Sequence, residues 1–405
     1  MAKSSKKLGK LNIDLDNKVY SKPSEGALDP NYYIKAQMKD KTWHLAKIID
    51  CRLVKDWDPK KKKNDASYEY YVHYIDFNRR MDEWVPRNRI ELTRNLIEED
   101  TTNKKKRKTE EKKYDNNIDD EHEGNYSFLS HFFFTFLFFR IFMILGMDAA
   151  SLLAHEQATK FKTIENIEIG KYRCETWYYS PYPEAYQNLD TLYLCEYCLS
   201  YHATKDELIR HMKRCDLTHP PGDEIYRHGN NSVFEIDGHK NPTYCENLSY
   251  LAKLFLDHKT LYYDVEPFLY FVLTENDDEG CHIVGYFSKE KESSHGYNLA
   301  CILTLPFHQR KGYGKFIITF SYELSFIEKK VGTPERPLSD LGRESYVSWW
   351  TQKIVEFIRD NPHGQYSISD ITKETMIHEK DIIYVLVRSY LVKLILIGKI
   401  QYDKI

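Results

Sequence analysis

The strongest constraint on this chain is a glycine-bearing turn, Gln309-Arg310-Lys311-Gly312-Tyr313-Gly314-Lys315, set between an apolar run and a helical pattern. The run before it, residues 299–305 (LACILTL), reads as one buried strand closed by Pro306. The segment after it, residues 316–329, spaces Phe316, Ile317, Phe320, Tyr322, Leu324 and Phe326 along a largely buried helix. Strand, glycine turn and helix start together suit a diphosphate, because glycine lets the backbone approach closely and the open N–H groups of a helix start favour an anion. Arg310, Lys311 and Lys315 add positive charge at the same place. The glycine and lysine are spaced wrongly for a Walker loop, and the third glycine of a Rossmann fingerprint is missing. Taken alone, a two-glycine turn fits a plain strand–helix connection equally well.

A second constraint is a metal-ligand pattern. Cys195-x-x-Cys198, twelve residues, then His211-x-x-x-Cys215 puts two thiols on a tight turn and an imidazole and a thiol one helical turn apart. Four N/S ligands at that spacing suit a closed tetrahedral zinc site, and with no ligand position left open the metal is structural. Tyr193, Leu208 and Met212 are expected to pack behind it. The alternative is a chance grouping of reduced cysteines. The helix beginning at Lys205 carries Asp206 and Glu207 where a nucleic-acid reader would meet bases, which argues for bracing rather than reading. Eight cysteines without a signal-peptide pattern suggest a reducing compartment.

The 405 residues allow two or three domains, and a net charge of −3 hides local asymmetry. Residues 1–18 read as a disordered basic tail, and residues 60–63 and 104–108 are basic blocks, the second fitting nuclear import or a nucleic-acid contact. Residues 19–95 form a β-rich unit with strand patterns at 33–37, 43–50 and 68–76. Its Tyr74, Phe77 and Trp84 suit either an aromatic cage for a methyl-lysine cation or the filling of a small barrel. Residues 96–160 read as a charged, flexible linker, interrupted by an apolar, Phe-rich insert at 125–146. Its length reaches that of a membrane span, but His131 and Arg140 lie within it. A retained intron explains it better: Gly124-Asn125 and Leu145-Gly146 can be encoded across intron start and end sequences, and excision joins Gly124 to Met147 in frame. The last module, 161–405, contains the finger at 193–218, an amphipathic helix at 346–359, two short helices from Ser367, and a closing strand or wing at 394–402.

The neighbours of the glycine turn make it specific. Residues 257–264 (DHKTLYYD), 284–292 (VGYFSKEKE), 300–306 (ACILTLP) and 334–342 (PERPLSDLG) resemble, in that order, the MYST family of lysine acetyltransferases, from about residue 167 to 342 and more loosely onward. The turn itself resembles the Q/R-x-x-G-x-G of acyl-CoA-dependent N-acetyltransferases, and residues 77–86 resemble the chromo-barrel (Tudor-knot) of one MYST branch. The resemblance implies an α+β chain: an N-terminal chromo-barrel, then a GNAT-like mixed α/β core with an embedded C2HC zinc finger and a winged-helix-like C-terminal segment. It implies a nuclear histone acetyltransferase that uses acetyl-CoA on the lysines of H4-type tails and regulates transcription within a multisubunit complex. The barrel would take methyl-lysine or RNA. A non-catalytic chromatin adaptor, a non-histone acetyltransferase and a membrane-tethered enzyme are the alternatives, the last resting on residues 126–145 alone.

Acetyl transfer needs a neutral amine, whereas free lysine has a pKa of about 10.4, so a base must take a proton. A glutamate in a partly apolar cleft suits the task. Spacing cannot choose among the glutamates; the resemblance chooses Glu335, with Pro334 and Pro337 holding its direction. Without the family, Glu335 would read as a helix-start carboxylate near Ser339. Cys301 lies where a thioester carbonyl would arrive, either as a transient acyl acceptor or as pocket lining, and direct attack by the amine is favoured. Backbone groups of Ile302, Leu303 and Thr304 can pair with the pantetheine arm, and Arg310, Lys311, Gly312, Tyr313, Gly314 and Lys315 can take the pyrophosphate. The family pattern also sets Ser339 and Ser348 against the CoA, although either suits a cap or a surface group. It makes Lys259 an autoacetylated lysine, which otherwise reads as a surface lysine.

Overall fold

Residues 33–37 alternate inward and outward side chains over one turn-bounded run, and they begin the first of two units, Met1–Met147 and Asp148–Ile405, in a computed structural model of the chain. It describes residues 27–28, 32–54, 65–92, 159, 161–259, 263–362, 366–388 and 400–401. The expected tail at 1–18, the basic blocks and the insert at 125–146 lie outside them. No helix among the described residues is long and apolar enough to cross a membrane.

In the first unit, β1 (Tyr33–Gln37), β2 (Trp43–Leu53), β3 (Tyr68–Tyr74), β4 (Glu83–Pro86) and β5 (Ile90–Leu92) form an antiparallel sheet in the order β4-β3-β2-β1-β5. Ile34, Ala36, Ala46, Ile48, Tyr70, Val72, Tyr74 and Val85 fill its core. The aromatic cage is not formed. Tyr74 is fully buried and donates its hydroxyl to Glu83 Oε1 at 3.1 Å, with Phe77 edge-on at 6.2 Å. Trp84 is the cross-strand partner of Tyr71, whose side chain leaves β3 on the face opposite Tyr70, Val72 and Tyr74. Its ring lies 5.3 Å from Tyr71, with the Arg52 guanidinium 4.1 Å over it. Period-two alternation thus separates the residues a cage would have to unite.

The second unit opens with β6 (Asn166–Ile169), β7 (Tyr172–Glu175), β8 (Thr191–Leu194) and β9 (Tyr201–His202), ordered β7-β6-β8-β9, followed by α1 (Lys205–Met212). A central antiparallel sheet follows, made of β10 (Asp223–His228), β11 (Asn231–Asp237), and, after α2 (Pro242–Lys253), β12 (Phe268–Asn276) and β13 (Cys281–Glu290). Alternation along β12 sorts its side chains: Tyr270 and Val272 join the α2 and finger-sheet core, while Phe271 and Leu273 face Ile317 of the long helix introduced below.

The run expected as one strand over 299–305 is two. β14 (Tyr297–Leu299) and β15 (Ile302–Thr304) are separated at Ala300-Cys301. The break follows from two competing partners: β15 completes the central sheet beside β13, whereas β14 pairs in parallel with a strand beyond the next helix. That helix is α3 (Tyr313–Glu328), and the strand is β16 (Thr333–Pro334). Ile317, Ile318 and Tyr322 of α3 are buried and Phe316, Phe320 and Leu324 pack on the sheet, but Phe326 faces solvent, contrary to expectation. The chain ends in α4 (Asp340–Asp360), β17 (Tyr366–Ser367), α5 (Ile368–Thr375), α6 (Glu379–Arg388) and β18 (Ile400–Gln401), which pairs with β17. Tyr322, Trp349, Trp350, Ile354, Ile371, Ile382 and Val385 make their shared core. Both expected C-terminal helices are present, while most of the expected wing lies outside the described residues.

Candidate active site and zinc centre

β14 and β16 run side by side, with Glu335 N–H donating to Leu299 O at 2.8 Å just past their pairing. β15 is the edge of the central sheet, hydrogen-bonded to β13 on one side, so the other backbone edge of Ile302, Leu303 and Thr304 pairs with no strand among the described residues. An edge strand of this kind can accept an extended amide-bearing chain as an added strand.

Glu335 follows directly on β16. It is an exposed residue, yet the protein around its carboxyl desolvates it enough to push its pKa above the ordinary 4.5; Glu290 pushes the same way, and Lys259 and His295 oppose. Lys259 is only 7% exposed, and its Nζ donates toward Cys301 Sγ at 3.7 Å. It is therefore no surface lysine. Cys301 sits at the strand break, held by Cys301 N–H to Ser288 Oγ at 3.2 Å and Ser288 N–H to Cys301 O at 2.9 Å. Lys259 thus links the two, acting on the Glu335 carboxyl through its charge and on the Cys301 thiol by contact.

The glycine turn follows the edge strand β15. Arg310 and Gly312 have φ of 63° and 93°, the second a conformation that only glycine adopts freely. No side chain caps the start of α3, and the first bond within it runs from Phe316 N–H to Gly312 O at 3.0 Å, so its leading N–H groups stay open. At Gly314 an added Cβ would meet only Thr304 Oγ1, at 3.6 Å. The chain's own packing does not demand glycine there, which leaves room for a ligand against the helix start. Gln309 Nε2 donates to Thr304 O at 3.1 Å and ties the turn to the edge strand. Tyr313 donates to Glu275 and Lys315 to Gln352, so neither side chain is spare in this structure. Beneath the turn His308 is buried, and burial together with Lys311 and Lys171 pushes its pKa down to about 4. Ser339 caps α4, accepting from Gly342 N–H at 3.1 Å, and Ser348 is exposed on that helix.

The segment bearing Glu335 is gripped from behind. Asp381, 1% exposed on α6, accepts from Thr333 Oγ1 at 2.7 Å through one oxygen and from Arg336 Nη2 at 2.5 Å through the other. Gly332 N–H donates to Met376 O at 2.8 Å and His378 N–H to Gly332 O at 3.1 Å. The Arg336–Pro337 peptide bond is cis.

The metal pattern closes as expected. The ligand atoms of Cys195, Cys198, His211 and Cys215 all lie within 4.8 Å of one another, with Cys195 Sγ 3.9 Å from Cys215 Sγ and Cys198 Sγ 3.2 Å from His211 Nε2. Tetrahedral zinc with Zn–S near 2.3 Å needs sulfurs about 3.8 Å apart, so the four residues fit the ion. Hydrogen bonds from Cys195 and Ser200 hold the Cys198 thiol well below the ordinary thiol range, the state a metal ligand needs. Glu207 proves to be structural: with Thr204 it forms the capping box that starts α1 and so aims His211. Leu208 packs inward and Tyr193 is half-buried, but Met212 is 47% exposed because it ends a short helix on its solvent side.

The MOZ/SAS family model matches residues 219–401, the MYST family zinc finger domain residues 161–215, and the Tudor-knot, described as an RNA binding activity-knot of a chromodomain, residues 28–92. The Arabidopsis thaliana "Histone acetyltransferase of the MYST family 2" is 48% identical over 353 residues, covering 86% of this chain and 74% of that protein. The chain belongs to the MYST family. The Caenorhabditis elegans "Histone acetyltransferase Tip60 homolog" is 41% identical over 404 residues, covering 92% of this chain and 82% of that one. A solved chromo barrel domain from the males-absent on the first (MOF) protein is 28% identical and covers 18% of this chain and 77% of that one, at a TM-score of 0.14. The residues matched by the MYST zinc finger domain take in β6 and β7, whose Ile167 and Ile169 share the main core. Sequence reasoning missed Asp381, one of two acids in the first turn of an amphipathic helix, and Gln309, which stood inside the quoted turn with no role. Nothing in a single sequence marks the first; the second carried a weak signal as the polar residue that opens the turn.

Proposed function

We propose that this MYST protein transfers the acetyl group of acetyl-CoA to lysine ε-amines of histone tails in the nucleus, with Glu335 as general base. The observation that supports this reading is the desolvated Glu335 carboxyl, tied by its backbone to Leu299 just before the edge strand β15, which in turn is tied through Gln309 to the uncapped glycine-bearing helix start. Ile302, Leu303 and Thr304 would hold the pantetheine arm, and the backbone of Arg310, Lys311, Gly312, Tyr313, Gly314 and Lys315 the pyrophosphate. The lysine ammonium gives a proton to Glu335; the freed amine forms a C–N bond to the thioester carbonyl, and as the C–S bond breaks the departing CoA thiolate takes up the second proton, which the nitrogen sheds in becoming an amide. Zinc holds the fold through Cys195, Cys198, His211 and Cys215 and takes no part in the reaction. Lys259, buried within reach of Cys301, is the proposed site of autoacetylation. The barrel would bind RNA or a modified chromatin ligand, and further subunits would assemble on the enzyme. The test is mass spectrometry of nucleosomes incubated with zinc-loaded protein and acetyl-CoA. Acetylated H4-tail lysines support the reading, and unmodified nucleosomes with acetylation confined to non-histone proteins overturn it.

Two further outcomes are expected. Gly314→Val raises the Kd for acetyl-CoA about 10- to 100-fold by isothermal titration while shifting Tm by less than about 3 °C, because the valine collides with ligand rather than with protein. Cys301→Ala keeps more than about a tenth of wild-type kcat, as pocket lining would, and no acetyl-thiol enzyme is trapped by mass spectrometry from the wild type.

A further inference from the structure

We propose that Asp381 is a positioning residue for Glu335, fixing the base's segment through Thr333 and keeping the Arg336 guanidinium off the Glu335 carboxylate. This deepens the general-base reading and rests on it. Thr333 and Arg336 flank Pro334-Glu335, and each is held by one oxygen of Asp381. With 1% exposure, that carboxylate needs both partners: a buried charge without them is strongly unfavourable. Arg336, by contrast, has a side chain 49% exposed, so packing does not hold it and the ion pair does. The backbone bonds from Gly332 to Met376 and His378 make the same C-terminal segment a rigid backing. The charges acting on Glu335 are Glu290 from the end of β13, Lys259 from beyond α2 and His295 from the β13–β14 connection. Arg336, its neighbour in sequence, is not among them. Tyr322 of α3 and Tyr346 of α4 face Asp381 from the other side, and burial keeps both neutral. Once Asp381 loses its charge, the Arg336 guanidinium, one residue away from Glu335, turns to that carboxylate and weakens it as a base.

The test uses the full chain loaded with zinc. Asp381→Asn should lower kcat about 10- to 100-fold while the Kd for acetyl-CoA stays within about twofold. The acid limb of kcat/KM should move to lower pH by about half a unit or more, because a cation now stabilises ionised Glu335. Adding Arg336→Gln to Asp381→Asn should return that limb to its wild-type position, a rescue that loosened packing does not produce. Thr333→Val, which leaves the ion pair intact, should lower kcat about 3- to 10-fold with the limb unmoved. Should Asp381→Asn fail to give a cooperative melt, the double variant and Thr333→Val carry the test. Wild-type kcat and an unmoved limb in Asp381→Asn overturn the proposal, as does wild-type kcat in both other variants. Glu335→Gln run alongside separates the claims: if it stays fully active, the general-base reading fails, and if it is inactive while Asp381→Asn is not, only the positioning role fails.

Discussion

Glu335→Gln should lower kcat/KM for lysine acetylation at neutral pH by about 10²- to 10⁴-fold, the range that general acid–base catalysis contributes. Glutamine keeps the shape and removes the charge. The backbone bond to Leu299 survives, so the cleft should hold its form and acetyl-CoA affinity should stay within about twofold. The sign of the pH dependence follows from the surroundings. Burial and Glu290 raise the Glu335 carboxyl above the ordinary 4.5, and the working form is the ionised one. Activity is therefore lost as pH falls through that raised value, at a higher pH than an ordinary glutamate would give. Steady-state kinetics on a histone-tail peptide, with calorimetric acetyl-CoA binding, checks both halves. Loss of cofactor binding along with turnover would point to a disrupted cleft rather than a missing base.

Cys195→Ser should release the metal and lower Tm by roughly 10–20 °C, the shift that about 5 kcal/mol gives a domain of this size. The effect reaches beyond the finger because of where the ligands sit. Cys195 follows directly on β8, whose Leu192 and Leu194 pack in one core with Ile167, Ile169, Phe234 and Leu248. Losing the ion frees a hairpin that helps bury the back of the central sheet. Metal analysis should find less than about one-tenth equivalent of zinc, and wild-type protein stripped by a chelator should melt like the variant. A metal-free protein melting with the wild type would show that the four residues do not bear on stability.

How much of this was legible depended on the range of the interaction. The zinc set could be read directly, because Cys195/Cys198 and His211/Cys215 each meet within one local turn of chain. The glycine turn was legible for the same reason, although α3 begins at Tyr313, within the turn and three residues before the expected start at 316. Glu335 was not legible from local pattern, since its raised pKa comes from desolvation and from Glu290, against the opposing Lys259 and His295, surroundings that only the fold assembles. The strand break at Ala300-Cys301 was hidden for a related reason: an unbroken apolar run does not say that its halves pair with different partners. Asp381 acts across 45 to 48 residues on Arg336 and Thr333, beyond any periodicity argument. The aromatic cage was the opposite case. Tyr74 shares parity with Tyr70 and Val72, a signal of burial already present in the sequence that agrees with the core-filling alternative for this residue.

The central claim, that Glu335 removes the proton from the attacking lysine, is tested most directly by the pH dependence of kcat/KM for an H4-tail peptide at saturating acetyl-CoA. For the wild type the account predicts a plateau bounded below by a limb above pH 4.5 and above by titration of the substrate amine. For Glu335→Gln it predicts no plateau, only a rise of about tenfold per pH unit as the free amine fraction grows. Two profiles of the same shape and height would contradict it.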